Sequence, residues 1–141
     1  MPVRFHSEKV KINAPDRKRL ANVIKLIGLV EQKEPGDINV ILVSDKYLLA
    51  MNRKYLNHDY YTDIITFKHP SAPSVISGDL YISVDRVREN SDDQKVSFAD
   101  EFSRVVIHGV LHLCGYRDKQ AVEKIQIRKK EEFYLNSMKH L

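Results

Sequence analysis

The sequence predicts an α+β domain, a small mixed sheet of about four strands with helices packed on it. Three observations carry this expectation. Strand-like and helix-like segments alternate along the chain, yet the strands read at Thr62–Phe67 and Gly78–Asp85 follow one another with no helix between them. The segment Ser97–Cys114 is apolar nearly all round at helical period, the pattern of a helix buried inside a domain. The length, 141 residues, points to a single domain over 1–141, long enough to bury a core without disulfides.

The elements follow in order. Val3–Ile12 alternates loosely and reads as an edge strand. Asn13-Ala14-Pro15-Asp16 reads as a helix start, with a turn former, a proline and an acidic first-turn residue. Leu20, Val23, Ile24, Ile27, Leu29 and Val30 carry the helical period to about Gln32, and Lys33–Asp37 breaks it. Ile38–Val43 is a strand apolar enough for burial on both faces. Ser44-Asp45 caps a helix with Tyr47, Leu48, Leu49 and Met51 at its apolar positions, ending near Asn57. Thr62–Phe67 is β-branched and aromatic, as strands are. Lys68–Ser77, with two prolines and several serines, reads as a loop. In Gly78–Asp85, Leu80, Ile82 and Val84 point one way while Tyr81, Ser83 and Asp85 point the other. Arg86–Gln94 reads as a short helix plus loop. Ser97-Phe98-Ala99-Asp100 fits a capping box for the buried helix. Lys119–Met138 is a last, more polar helix, with Ala121, Val122, Ile125 and Phe133 as its expected core contacts.

Composition narrows the function classes. With 43% hydrophobic and 30% charged residues, and only ten Gly and Pro together, the chain is neither fibrous nor of low complexity. The lone Cys114 excludes a disulfide framework and points to a reducing compartment. No stretch approaches the ~20 apolar residues of a membrane span. Met1–Asn13 carries charges throughout and has no apolar signal core, so the expected address is the cytoplasm, with no membrane partner. The net charge of +4 is compatible with an anionic partner such as RNA. The short basic runs Arg17-Lys18-Arg19 and Arg128-Lys129-Lys130 read first as solvated helix faces.

Chemistry concentrates in Ile107–Asp118. His108 and His112 stand four apart, so on a helix they share a face one turn from each other and can aim two imidazole nitrogens at one point. Gly115 suits the positive φ that ends a helix in a sharp turn, and the chain can then bring Asp118 to the same point. Two histidines, one carboxylate and an open fourth position make a catalytic zinc site. The spacing is that of the metzincin zinc helix, where the third ligand is usually histidine. One Zn2+ per chain is the first choice, and manganese, nickel or iron suit the same ligand types. Zinc peptidases carry a glutamate after the first histidine as general base. Gly109 stands there, which disfavours a peptidase, and Glu101 or Asp63 can take the base role. Arg104 and Arg117 either neutralise a phosphate or pair with neighbours and solvent. Cys114 points about 160° away from the two histidines on the helical wheel, as a core residue rather than a ligand.

The run HGVLHLCGYRD resembles the signature HGxLHLxGYDH of the YbeY family of rRNA maturation endoribonucleases. Leu49–Tyr55 followed by Asp59 and Thr62–Phe67 is similar to that family's LNxxYRxxDxPTDVLSF segment, and Ser77–Ile82 to its LGDIxI strand. The resemblance implies a cytoplasmic α+β metalloprotein whose zinc is held by His108, His112 and Asp118. It also implies single-strand-selective endoribonuclease activity in 16S rRNA 3′-end maturation and ribosome quality control. The implied partners are single-stranded rRNA, the small ribosomal subunit and its assembly factors. The chain departs from the pattern at three positions. Asp118 stands where histidine is usual, Leu56 replaces an arginine that acts on the RNA, and Tyr61 replaces a proline. Arg53, Arg104 or Arg117 can supply the missing charge, and Asp63 lies on the strand expected to line the cleft. Tyr60, Tyr61 and Tyr116 either stack unpaired bases or pack internally. A ribosome assembly factor with a structural zinc and a zinc-dependent peptide or amide hydrolase are the alternatives.

Overall fold

A computed structural model describes residues 3–141. The elements run β1 (Val3–Ser7), α1 (Arg17–Glu31), β2 (Glu34–Val43), α2 (Asp45–Leu56), β3 (Ile64–Lys68), β4 (Val75–Ser83), α3 (Val84–Gln94), α4 (Phe98–Leu113) and α5 (Ala121–Met138). The four strands form one sheet in the order β1-β2-β4-β3. β2 pairs in parallel with both β1 and β4, and β3 runs antiparallel to β4. This is the mixed α+β sheet expected from the sequence.

Strand alternation sends Ile38, Val40 and Leu42 of β2 and Ile76, Leu80 and Ile82 of β4 into the main core, all fully buried. There they meet Leu20, Val23, Ile24 and Ile27 of α1 and the buried helix α4. On α4, Phe102, Val105, Val106, Ile107, Val110, Leu111 and Leu113 are all buried. Each such side chain contributes roughly 1.5–3 kcal/mol through its removal from water. The opposite face of the sheet is covered by α2, over a smaller cluster of Val43, Leu48 and Ile65. Among the described residues no helix is long and apolar enough to cross a membrane.

Several boundaries differ from expectation for local reasons. β1 ends at Ser7 rather than Ile12. β2 starts at Glu34, inside the expected breaker, because a register irregularity between Pro35 and Ile38 accommodates the proline. Its partner β4 correspondingly starts at Val75, inside the expected loop. β4 ends at Ser83, whose Oγ accepts the Arg86 N–H at 3.2 Å, so Val84 and Asp85 are helical. Asp16 caps α1 in a left-handed conformation (φ 54°) without a side-chain cap bond. The Ser44 and Ser97 caps hold, accepting from Tyr47 N at 3.2 Å and Asp100 N at 3.0 Å.

The largest difference concerns α5. Its buried residues are Ile127, Glu131, Tyr134 and Met138. Val122, Ile125 and Phe133 face outward at 66%, 58% and 51% exposure, and Ala121 is also exposed. The apolar residues of this helix are spread round its circumference, so its own pattern selects no face; packing against α1 and α4 does.

Candidate metal centre

α4 delivers His108 and His112 on one face, one turn apart. Gly115, at φ 107°, then turns the chain, its N–H bonding His112 O at 2.9 Å while Tyr116 N bonds Leu111 O at 3.1 Å. Asp118 returns to the helix end. His108 Nε2 lies 2.9 Å from His112 Nε2 and 3.3 Å from Asp118 Oδ2, and His112 Nε2 lies 3.5 Å from Asp118 Oδ2. An ion with zinc's bond lengths spaces tetrahedral donors by roughly 3.3 Å. The three residues can hold a metal ion.

The donor chemistry supports the fit. His108 Nδ1 donates to Glu131 Oε2 at 2.6 Å. That bond fixes the neutral tautomer whose Nε2 carries a lone pair toward the other two donors. Burial by itself would raise the Glu131 carboxyl, but hydrogen bonds from His108 and then Arg104 hold it below its ordinary value.

Arg104 is bound on two sides. Its Nε and Nη2 donate to the two oxygens of Glu101 at 3.0 and 2.6 Å, and its Nη1 donates to Glu131 Oε1 at 3.0 Å. Hydrogen bonding to Glu101 above all keeps this largely buried guanidinium charged. Asp63 Oδ2 lies 3.8 Å from Arg104 Nη2. Burial raises the Asp63 carboxyl more than Arg104 and His108 lower it. Glu101 is fully buried with both oxygens engaged, whereas the Asp63 side chain keeps 29% exposure.

The structure thus brings His108, His112, Asp118, Arg104 and Asp63 together. Arg117 stands apart, 69% exposed and 3.9 Å from Glu123. Leu56 is half exposed, and Arg53 pairs with Asp59. Cys114 packs against the main core, where burial first, then the Glu31 charge, push its thiol up to about 11; it is not a ligand. Gly109 faces the sheet. A Cβ there would meet Ile64 Cδ1 at 2.7 Å and Leu80 Cδ2 at 2.9 Å, so a side chain at this position points at the sheet and must displace those methyls. Tyr61 lies under the Arg86 guanidinium at 5.6 Å.

Two carboxylates escaped sequence reasoning. Glu131 lies 23 residues from the histidine it binds. Glu31 accepts from Tyr116 OH at 2.8 Å, Tyr134 OH at 2.5 Å and Lys130 Nζ at 3.1 Å, tying α1 and α5 to the ligand turn. An acid within the stripe Ile127, Glu131, Tyr134 and Met138 was the available signal for the first. A cleft of about 510 Å³ opens beside His108 and Asp118, its charged lining made of Arg104, Lys124, Arg128 and Lys129 on one hand and Glu131 and Glu132 on the other.

Fold and site together define an α+β domain with a His-His-Asp cluster that could hold a metal ion beside an open cleft. The family model described as Endoribonuclease YbeY matches residues 3–139, and the chain belongs to that family. A protein named endoribonuclease YbeY from Flavobacterium psychrophilum is 50% identical over 111 residues, 79% of each chain. Its namesake from Cytophaga hutchinsonii is 42% identical over 135 residues, 96% of this chain and 94% of that one. The solution structure of TM1509 from Thermotoga maritima superposes with a TM-score of 0.63 at 29% identity, covering 96% of this chain and 88% of that one.

Proposed function

We propose that this protein is a zinc-dependent endoribonuclease that cuts single-stranded rRNA during maturation of the 16S 3′ end and ribosome quality control in the cytoplasm. The observation that carries this reading is the convergence of His108 Nε2, His112 Nε2 and Asp118 Oδ2 beside a cleft edged by Lys124, Arg128 and Lys129, in a chain of the YbeY family. Those three residues would hold the ion, which when bound supplies a Lewis acid and lowers the pKa of water to about 7.

The chain's own residues divide the remaining work. Lys124, Arg128 and Lys129 line the cleft and attract the phosphate backbone. Asp63 is the carboxylate suited to accept a proton from the attacking oxygen, since both Glu101 oxygens are engaged by Arg104 and burial already raises Asp63. Arg104 is a positioning residue that holds Glu131, and through it His108, in place. The exposed Arg117, held only by a long 3.9 Å contact to Glu123, can swing to a phosphate of the substrate. The small ribosomal subunit and its assembly factors are the partners this role calls for. A peptide hydrolase is not favoured, because the position of its base is Gly109, pressed against Ile64 and Leu80.

The test uses purified protein and single-stranded rRNA fragments, with and without added zinc, beside His112→Ala. Zinc-stimulated cleavage that falls at least about 100-fold in the variant is expected. Equal cleavage by both proteins overturns the reading.

A further inference from the structure

On the other flank of α5 from the metal-site cleft lies a second hollow of about 460 Å³, lined by Val30, Tyr116, Gln126, Lys129, Lys130 and Phe133. Lys129 lines both hollows. Phe133 is 51% exposed and Val30 44%, an apolar and aromatic surface facing water. The walls are firm. Tyr116 is tethered through its hydroxyl to Glu31, and the Phe133 ring leans edge-on against Tyr134, centroids 5.1 Å apart at 75°. No carboxylate lines the hollow, and Lys130 is already neutralised by Glu31 at 3.1 Å. Lys129 makes no ion pair among the described residues, and neither does Lys124 beside the cleft.

We infer that this hollow is a nucleobase-binding subsite, taking an unpaired base of the RNA strand whose backbone crosses Lys129 into the metal-site cleft. Single-strand binders combine aromatic faces for bases with cations for phosphates, and the two meet here at Lys129, which lines the aromatic hollow and the metal-site cleft alike. Gln126 adds an amide that can donate to and accept from a base edge. Glu31 lies behind the lining, bonded to Tyr116 and Lys130, so among the described residues Lys129 is the unpaired cation of the hollow and suits a phosphate. Tyr116 sits two residues before Asp118, so occupancy of the subsite lies close in the chain to the metal ligands. The inference rests on the nuclease reading and names where that substrate is gripped.

The test measures binding of a labelled single-stranded oligouridylate to metal-free protein by fluorescence anisotropy. Phe133→Ala is compared with Phe133→Leu, which keeps an apolar contact with Tyr134 but removes the aromatic face. Both variants bind about tenfold more weakly, with unchanged melting temperature. An oligonucleotide of abasic residues binds the parent protein about tenfold more weakly too, and the Phe133 variants no longer distinguish the two ligands. Equal RNA binding by the parent and both variants overturns the subsite, while zinc-stimulated cleavage by the same parent preparation leaves the nuclease reading standing. Failure of the parent protein to bind or cleave RNA overturns both. Loss of self-association or of a protein partner in Phe133→Ala, with RNA binding intact, assigns the surface to a protein contact and also overturns the subsite.

Discussion

Glu131 Oε2 accepts the Nδ1–H of His108 at 2.6 Å, while Glu131 Oε1 accepts from Arg104 at 3.0 Å. One buried carboxylate therefore orients a candidate metal ligand and anchors the cation behind it.

Glu131→Gln can satisfy only one of those donors, since an amide has a single acceptor oxygen. Zinc affinity is expected to fall about 10- to 100-fold, measured by competition with a chromophoric chelator. An unchanged affinity removes Glu131 from any role at the metal.

Asp118 is the departure from the family pattern that bears most on the metal. Asp118→Ala is expected to bind less than one zinc per chain, and Asp118→His to retain full stoichiometry. Full stoichiometry in the alanine variant excludes Asp118 as a ligand.

Asp63 is held in a place that disfavours its charge. Asp63→Asn is expected to raise the melting temperature by about 2 °C while slowing RNA cleavage about 100-fold or more, the trade common at functional carboxylates. A variant that is less stable and equally active contradicts both assignments.

Glu31 gives the fold an acid-sensitive joint. Burial alone would raise its carboxyl, but bonds from Tyr134, Tyr116 and Lys130 hold it below the ordinary value of 4.5. The folded value is depressed, so its contribution is complete above pH 4.5 and is lost as pH falls through the folded value. Melting temperature should therefore drop on acidification below that point, and drop less steeply in Glu31→Gln, which is less stable at neutral pH. Parallel melting curves for the two proteins across the acid range would count against this.

Installing the peptidase glutamate tests why it is missing. Gly109→Glu would drive a carboxylate against Ile64 and Leu80 in the core, at a cost above about 4 kcal/mol. The expected product is insoluble or molten, measured by solubility and near-ultraviolet dichroism. A folded variant that cleaves casein in a chelator-sensitive way would revive the peptidase alternative.

Most of the site was legible because its signals are local. His108, His112, Gly115 and Asp118 fall within eleven residues, and helix geometry converts that spacing into a shared point. The core face of α1, the caps at Ser44 and Ser97, and the burial of α4 follow from equally short-range patterns. The ends of β2 and β4 were misread because Pro35, Gly36 and the serines signal a loop locally, while pairing of Glu34 with Val75 is a property of the sheet.

The sequence by itself determined the clustering of His108, His112 and Asp118, the mixed α+β class and the order of elements. Only the tertiary structure decided which face of α5 turns inward. With that face came Glu131 behind His108, Tyr134 and Lys130 on Glu31, and Phe133 open to solvent beside Lys129. The reason is physical: a helix with apolar residues on all sides carries no orientation of its own. Its direction is settled by contacts 23 and 103 residues away along the chain, whose energies no local period records.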